Sequence, residues 1–108
     1  MAEYVFDDKD SGANVEVERG AKITIELREN PTTGYRWAIS TIDQALLAAE
    51  GDEFLPHDQK GAGAGGQHRF FFCAQRAGST ALRLINKRSW QRDDQAVGAF
   101  NLIICILN

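Results

Sequence analysis

KITIELRENPTTGYRWAI, residues 22 to 39, carries the clearest structural signal in the chain. In its first half Ile23, Ile25 and Leu27 fall between Lys22, Thr24, Glu26 and Arg28, the period-two pattern of a strand with one buried and one wet face. In its last part Tyr35, Trp37 and Ile39 again share one face. The link between them is turn chemistry. Pro31 fixes its own φ and keeps Asn30 extended, while Gly34 can take the positive φ that lets the chain return. Thr32 and Thr33 then stand on a preorganised tip, with hydroxyls expected to be free for a partner. The same residues would also make a sound hairpin turn that meets nothing.

Working outward, short strands with turn signals recur about every ten residues. EYVF at 3 to 6 precedes the turn DDKDSGAN, and Val15 and Val17 alternate with Glu16 and Glu18. QHRFFFCAQ puts Phe70 and Phe72 on one face. TALRLINKR turns Leu82 and Leu84 inward and Arg83 and Lys87 outward, and AFNLIICILN closes the chain. DEFLPH reads as a short edge strand interrupted by Pro56. DQALLAAEG at 43 to 51 differs: its helix formers, a cap in Thr41 or Asp43 and a stop at Gly51 predict one short helix or helical turn. The pattern predicts one domain over residues 1 to 108, an all-β, immunoglobulin-like antiparallel β-sandwich of seven to eight strands, with Trp37 in the middle of its core.

Composition agrees. Charged residues at 25% and apolar ones at 44% are ordinary for a globular chain and argue against disorder. A net charge of −3, from 12 basic and 15 acidic residues, offers no electrostatic footprint for nucleic acid. The longest apolar run, LIICIL at 102 to 107, is strand-sized and far short of the roughly 18 residues a membrane span needs, so no membrane partner is expected. The start MAEYVFDDKD lacks the basic-then-apolar order of a signal peptide. That leaves a cytoplasmic protein, or a periplasmic or secreted one whose leader has been removed. Cys73 and Cys105 each sit in a strand-like stretch and read as small core residues; a disulfide between them would require neighbouring strands. With His57 and His68 they lack metal-site spacing, and no metal or cofactor is expected.

The unusual loops alternate with bland ones. NPTTGY, GAGAGG at 61 to 66 and RSWQRDD at 88 to 94 fall on alternate connections, which a sandwich brings to one rim, while ERGA and AGST fall at the other end. Four glycines, at 61, 63, 65 and 66, leave backbone bare for another chain to approach, or simply make a loose link. Arg88 and Trp90 are residue types enriched at interface hot spots, although a Trp in a polar loop can also fold back onto its own sandwich. Formally GAGAGG contains G-x-G-x-x-G, but it is flanked by HDQK and a strand rather than a strand and a helix N-terminus, so it is no nucleotide site. His68 and Cys73 are five apart in one strand and point to opposite faces, which excludes a thiol dyad. Asn30 precedes a proline and is no glycosylation acceptor. No nucleophile, base and orienter assemble, and no catalytic residue is assigned.

With these motifs in place, the chain resembles the chagasin family, inhibitors of papain-like cysteine peptidases. NPTTGYRW at 30 to 37, GAGG at 63 to 66 and RSW at 88 to 90 stand in the family's order and spacing. The resemblance implies a monomeric, reversible and competitive inhibitor of papain-like, cathepsin-type peptidases whose three loops form a wedge. Peptidase-binding residues would be Asn30, Pro31, Thr32, Thr33, Gly34 and Tyr35 over the catalytic cysteine and histidine, and Gly63, Ala64, Gly65 and Gly66 along the cleft. Arg88 and Trp90 would grip the primed side. Two departures stand out. Ser89 replaces the family's usual proline and loosens that loop, and Gly61 and Ala62 are too small to fill a substrate pocket, which implies weaker or less selective binding there. The competing reading is an immunoglobulin-like recognition or adhesion module; a small enzyme using His57 or His68 is a distant third.

Overall fold

Eight strands form two four-stranded sheets packed face to face in a computed structural model that describes residues 2–56 and 65–108. The strands are β1 Glu3–Asp7, β2 Ala13–Glu18, β3 Lys22–Glu29, β4 Tyr35–Thr41, β5 Leu47–Pro56, β6 Gly66–Ala74, β7 Gly78–Arg88 and β8 Gly98–Leu107. One sheet runs β1-β3-β6-β5 and the other β2-β8-β7-β4. The alternation in β3 survives intact: Ile23, Ile25 and Leu27 are buried and meet Phe70 and Phe72 of β6. Across the gap lie Val17, Leu82, Leu84, Phe100, Leu102, Ile104 and Ile106. Burial of these side chains, each contributing roughly 1.5–3 kcal/mol relative to exposure, holds the sheets together.

The pairings β3–β6, β5–β6, β4–β7 and β7–β8 are antiparallel. The first two strands add something the alternation does not encode. β1 lies parallel to β3 and β2 parallel to β8, each at the edge of a different sheet. A one-turn 3-10 segment at Asp8–Asp10, closed by a reciprocal Asp7–Asp10 capping box, carries the chain from one sheet to the other.

Several local expectations are refined or overturned. Of the short helix or helical turn expected over 43–51, a single turn forms, in which the Leu46 and Leu47 N–H groups donate to the Asp43 carbonyl and Asp43 Oδ1 accepts from Ala45 N–H. From Leu47 the chain is β5, because pairing with Ala74 and Cys73 and the complete burial of Leu47 outweigh alanine's helix propensity. Gly51, at φ 126°, is not a helix stop but lies where the β5–β6 register shifts, a conformation that favours glycine. The edge position of β5 is as the proline implied, although the strand spans ten residues and is not short.

Trp37 is not central. It lies on edge strand β4, half-buried, packs against the margin of the core and donates its indole N–H to the Arg28 carbonyl at 2.8 Å. Nor are the cysteines core residues. Cys73 alternates out of phase with Phe72 and Ala74, Cys105 with Ile104 and Ile106, so both are half-buried on outer faces of opposite sheets as free thiols. This register makes a sharp test. Phe72→Ala should cost about 3–5 kcal/mol in a urea titration, whereas the neighbouring Cys73→Ser should cost less than about 1 kcal/mol. Similar losses from the two would place the strand out of register.

Candidate functional site

The β3–β4 and β7–β8 connections emerge together beside Gly65 and the start of β6, and the site is built from these residues and the strand ends next to them. Asn30 is extended, at φ −118° and ψ 97°, and caps a 3-10 turn over Pro31–Thr33. Its Oδ1 accepts from the Thr32 N–H at 3.1 Å and from the Thr32 hydroxyl at 2.6 Å. The Thr33 hydroxyl donates to the Asn30 carbonyl at 2.8 Å and accepts from the Tyr35 N–H at 3.2 Å. Gly34, at φ 81°, closes the turn by donating its N–H to the Pro31 carbonyl at 3.1 Å.

These bonds correct one expectation. The threonine hydroxyls are not idle: each donates its proton inside the loop, so the tip presents methyl groups, backbone and remaining acceptor lone pairs. Its preorganisation, however, exceeds what Pro31 and Gly34 alone imply.

Arg88 joins the tip to the third loop. Its guanidinium lies 4.4 Å from the Tyr35 ring centroid and 5.9 Å from that of Trp90, and its Nε donates to the Thr33 carbonyl at 3.4 Å. Trp90 does not fold back onto the sandwich; it is 75% exposed, and a Cβ on Gly34 would stand 3.9 Å from its ring edge. A Cβ on Gly65 would sit 3.2 Å from the Glu29 carbonyl and 3.9 Å from Asn30 Cβ, which places the end of the glycine run against the threonine tip. Gly66 pairs so closely with β5 that a Cβ would collide with the Leu55 carbonyl and stand 2.7 Å from the Phe54 ring. Gly63 and Ala64, with Gly61, Ala62 and His57, lie outside the described residues. The structure therefore brings Asn30 to Tyr35, Gly65, Gly66, Arg88 and Trp90 to one end. The opposite end holds the Arg19–Gly20 and Gln75–Arg76 turns together with the Asp43–Leu46 turn.

Beneath the loops is a buried polar cluster that motif reading missed. The Glu29 side chain is fully buried at the last position of β3. Its Oε1 accepts from the Trp37 N–H at 2.6 Å and lies 3.0 Å from His68 Nδ1. His68 is stacked on Phe70 at 4.2 Å and reaches Asp52 Oδ2 with Nε2 at 2.5 Å. Both ring nitrogens thus face carboxylate oxygens, which takes two protons on the ring or one on a carboxylate. Among the described residues the nearest cation to Glu29 Oε2 is Arg36 Nε, at 3.8 Å, close enough for charge attraction but too far for a hydrogen bond. The signal was present in the phases of the strands: Glu29 follows 23, 25 and 27 inward, and His68 precedes Phe70 and Phe72. Val97, 62% exposed and lining the same cleft as Asn30, Thr33 and Tyr35, was also missed because nothing local distinguishes it.

A two-sheet β-sandwich with a rigid turn, a glycine segment and an arginine–tryptophan turn on one rim is a binding scaffold, with its loops as the working surface. Residues 16–104 match the model of the chagasin family, peptidase inhibitor family I42. Chagasin from Trypanosoma cruzi is 32% identical over 85 residues, covering 74% of this chain and 76% of that protein. The chain belongs to the chagasin family of peptidase inhibitors. The fold matches the cysteine protease inhibitor EhICP2 from Entamoeba histolytica with a TM-score of 0.86 at 23% identity, over 98% and 96% of the two chains. It also matches PbICP-C, solved in complex with falcipain-2, with a TM-score of 0.68 at 11% identity, over 97% and 91% of the chains.

His68→Leu should destabilise the protein by about 3 kcal/mol or more, because it strands the Glu29 carboxylate in the interior without its main partner. Urea unfolding measures this. A loss below about 1 kcal/mol would mean that Glu29 draws its support from elsewhere.

Proposed function

We propose that this chain is a reversible, competitive inhibitor of papain-like cysteine peptidases, acting as one monomeric domain and not as an enzyme. The observation that carries the reading is the convergence of the Thr32–Thr33 tip, Gly65 and the Arg88–Trp90 turn on one rim, linked by the Arg88 side chain. Membership of a peptidase-inhibitor family supports it, and so does the likeness to chagasin.

In this reading the threonine tip sits over the catalytic cysteine and histidine. The glycine segment that ends in Gly65 and Gly66 runs along the cleft, and Trp90 packs on the primed side. Cleavage needs a carbonyl held about 3–3.5 Å from the thiolate in a near-attack geometry. The tip is a closed 3-10 turn whose N–H groups at Thr33 and Gly34 bond back to Asn30 and Pro31. It offers the nucleophile no extended scissile bond, so occupancy blocks the site without turnover. A rigid wedge also loses little conformational freedom on docking, which lets an interface of about 800 Å² per partner bind tightly. The small residues Gly61 and Ala62 leave selectivity across cathepsin-type pockets shallow.

Titration of papain with a fluorogenic peptide tests the proposal. Wild type should inhibit competitively and survive prolonged incubation uncut. Trp90→Ala should raise Ki roughly 30-fold, about 2 kcal/mol, as expected for an aromatic anchor; an unchanged Ki would remove Trp90 from the interface. Folded wild-type protein that inhibits neither papain nor a small panel of its relatives would favour a recognition or adhesion module instead.

A further inference from the structure

The third loop is held by side chains that never reach its tip. Arg88 and Gln91 close a four-residue turn twice, the Gln91 N–H donating to the Arg88 carbonyl at 3.0 Å and the Arg88 N–H donating to Gln91 Oε1 at 2.9 Å. Ser89 and Trp90 are the inner residues of that turn. Ser89 leaves φ unrestrained where a proline would fix it, and Trp90 at 75% exposed has little packing of its own to hold it. Rigidity must come from the flanks.

Lys87, immediately before the turn, supplies it. Its Nζ donates to the Gln91 carbonyl at 2.9 Å and to Asp93 Oδ1 at 2.9 Å. Asp93 Oδ2 in turn accepts from the Ser40 hydroxyl of β4 at 3.3 Å. The ammonium thus bridges the end of the turn to the returning chain, and Asp93 fastens that return to the adjacent strand. The Lys87 side chain is 20% exposed and that of Asp93 62%, so the lysine end of the pair is shielded while the carboxylate faces solvent. Ile85, placed by alternation on the same outer face between Arg83 and Lys87, is only 2% exposed, so that face is covered there rather than open to water.

We propose that Lys87, Gln91 and Asp93 are positioning residues for Trp90, fixing the turn so that the indole meets a peptidase already in place. This rests on the inhibitor reading above. Lys87, by its hydrogen bond and its charge, and to a lesser degree the Ser40 hydroxyl and Arg83, hold the Asp93 carboxyl below its ordinary range. The pair therefore stays ionised through neutral and mildly acidic solution and is lost only as the pH falls through that lowered value.

The experiment combines inhibition with a spectroscopic readout. Lys87→Met and Asp93→Ala are measured against papain in the wild-type and Trp90→Ala backgrounds. Each should weaken inhibition roughly tenfold in the wild type, because the turn must then be ordered on binding, yet less than about twofold when Trp90 is absent. Lys87→Arg, which keeps the charge and donors, should recover most of the loss. No loss at all, or the same loss without Trp90, would overturn the proposal.

In parallel, the free protein carrying 5-fluorotryptophan is examined by 19F NMR, with the Trp90 resonance assigned by Trp90→Phe. That resonance should move toward the value of an unstructured indole in Lys87→Met and Asp93→Ala, while the Trp37 resonance stays in place. An unmoved Trp90 signal would overturn the clasp even if inhibition is strong. Because this readout needs no peptidase, failure of the clasp is distinguishable from failure of the inhibitor reading.

Discussion

Glu29 is a fully buried carboxylate placed where the two sheets part at the loop end, and the working surface is assembled on it. Its Oε1 accepts the backbone N–H of Trp37 from the second sheet and faces His68 of the first, whose other nitrogen extends the chain of contacts to Asp52 on β5. One residue later begins the threonine tip; two residues before His68 stands Gly66. A buried carboxyl group of this kind is costly to desolvate, and an apolar replacement of equal shape could be as stable. What it supplies is register. It ties the end of β3 to Trp37 of β4 and, through His68 of β6, to Asp52 within β5.

On that frame two of the loops are stiffened by different local devices. The tip is closed by the Asn30 cap and both threonine hydroxyls, and the third loop by the Gln91 and Lys87 contacts. Gly66 serves a third purpose, since no side chain would fit against the Leu55 carbonyl. Arg88 then ties two of the loops together by lying between Tyr35 and Trp90 and bonding to Thr33. Part of its charge is therefore used inside the inhibitor rather than held for a partner. The common consequence is that ordering has been completed on folding, before any partner arrives.

Much of this was legible in the chain. Period-two alternation gave β3, β4, β6, β7 and β8 their faces, and the alternation of ornate and bland connections put the threonine turn and the arginine–tryptophan turn on one rim, with Gly65 beside them. Local propensity failed at Ala48 and Ala49, where pairing with β6 outweighed it. Parallel pairing of β1 and β2 left no local trace, because it depends on which sheet edge is vacant rather than on the strands themselves. Cys73 and Cys105 were placed inward by residue type, although strict alternation with Phe72 and Ile104 puts them outside. Glu29 and His68 could have been found by following the same alternation one step further, and were overlooked because a carboxylate at an inward position contradicts the hydrophobic pattern. The roles of Lys87 and Asp93 were unreadable, since they depend on where a polar loop folds back against Ser40.

The central claim is that the rim is rigid before binding. Backbone 15N relaxation on the free protein tests it most directly, at Thr32 to Gly34 and at Ser89 to Gln91. Order parameters near those of the strands, about 0.85, are expected at both loops. Values below about 0.6 there, with rigid strands beneath, would contradict the account and make binding a process that orders the loops rather than one that uses them as built.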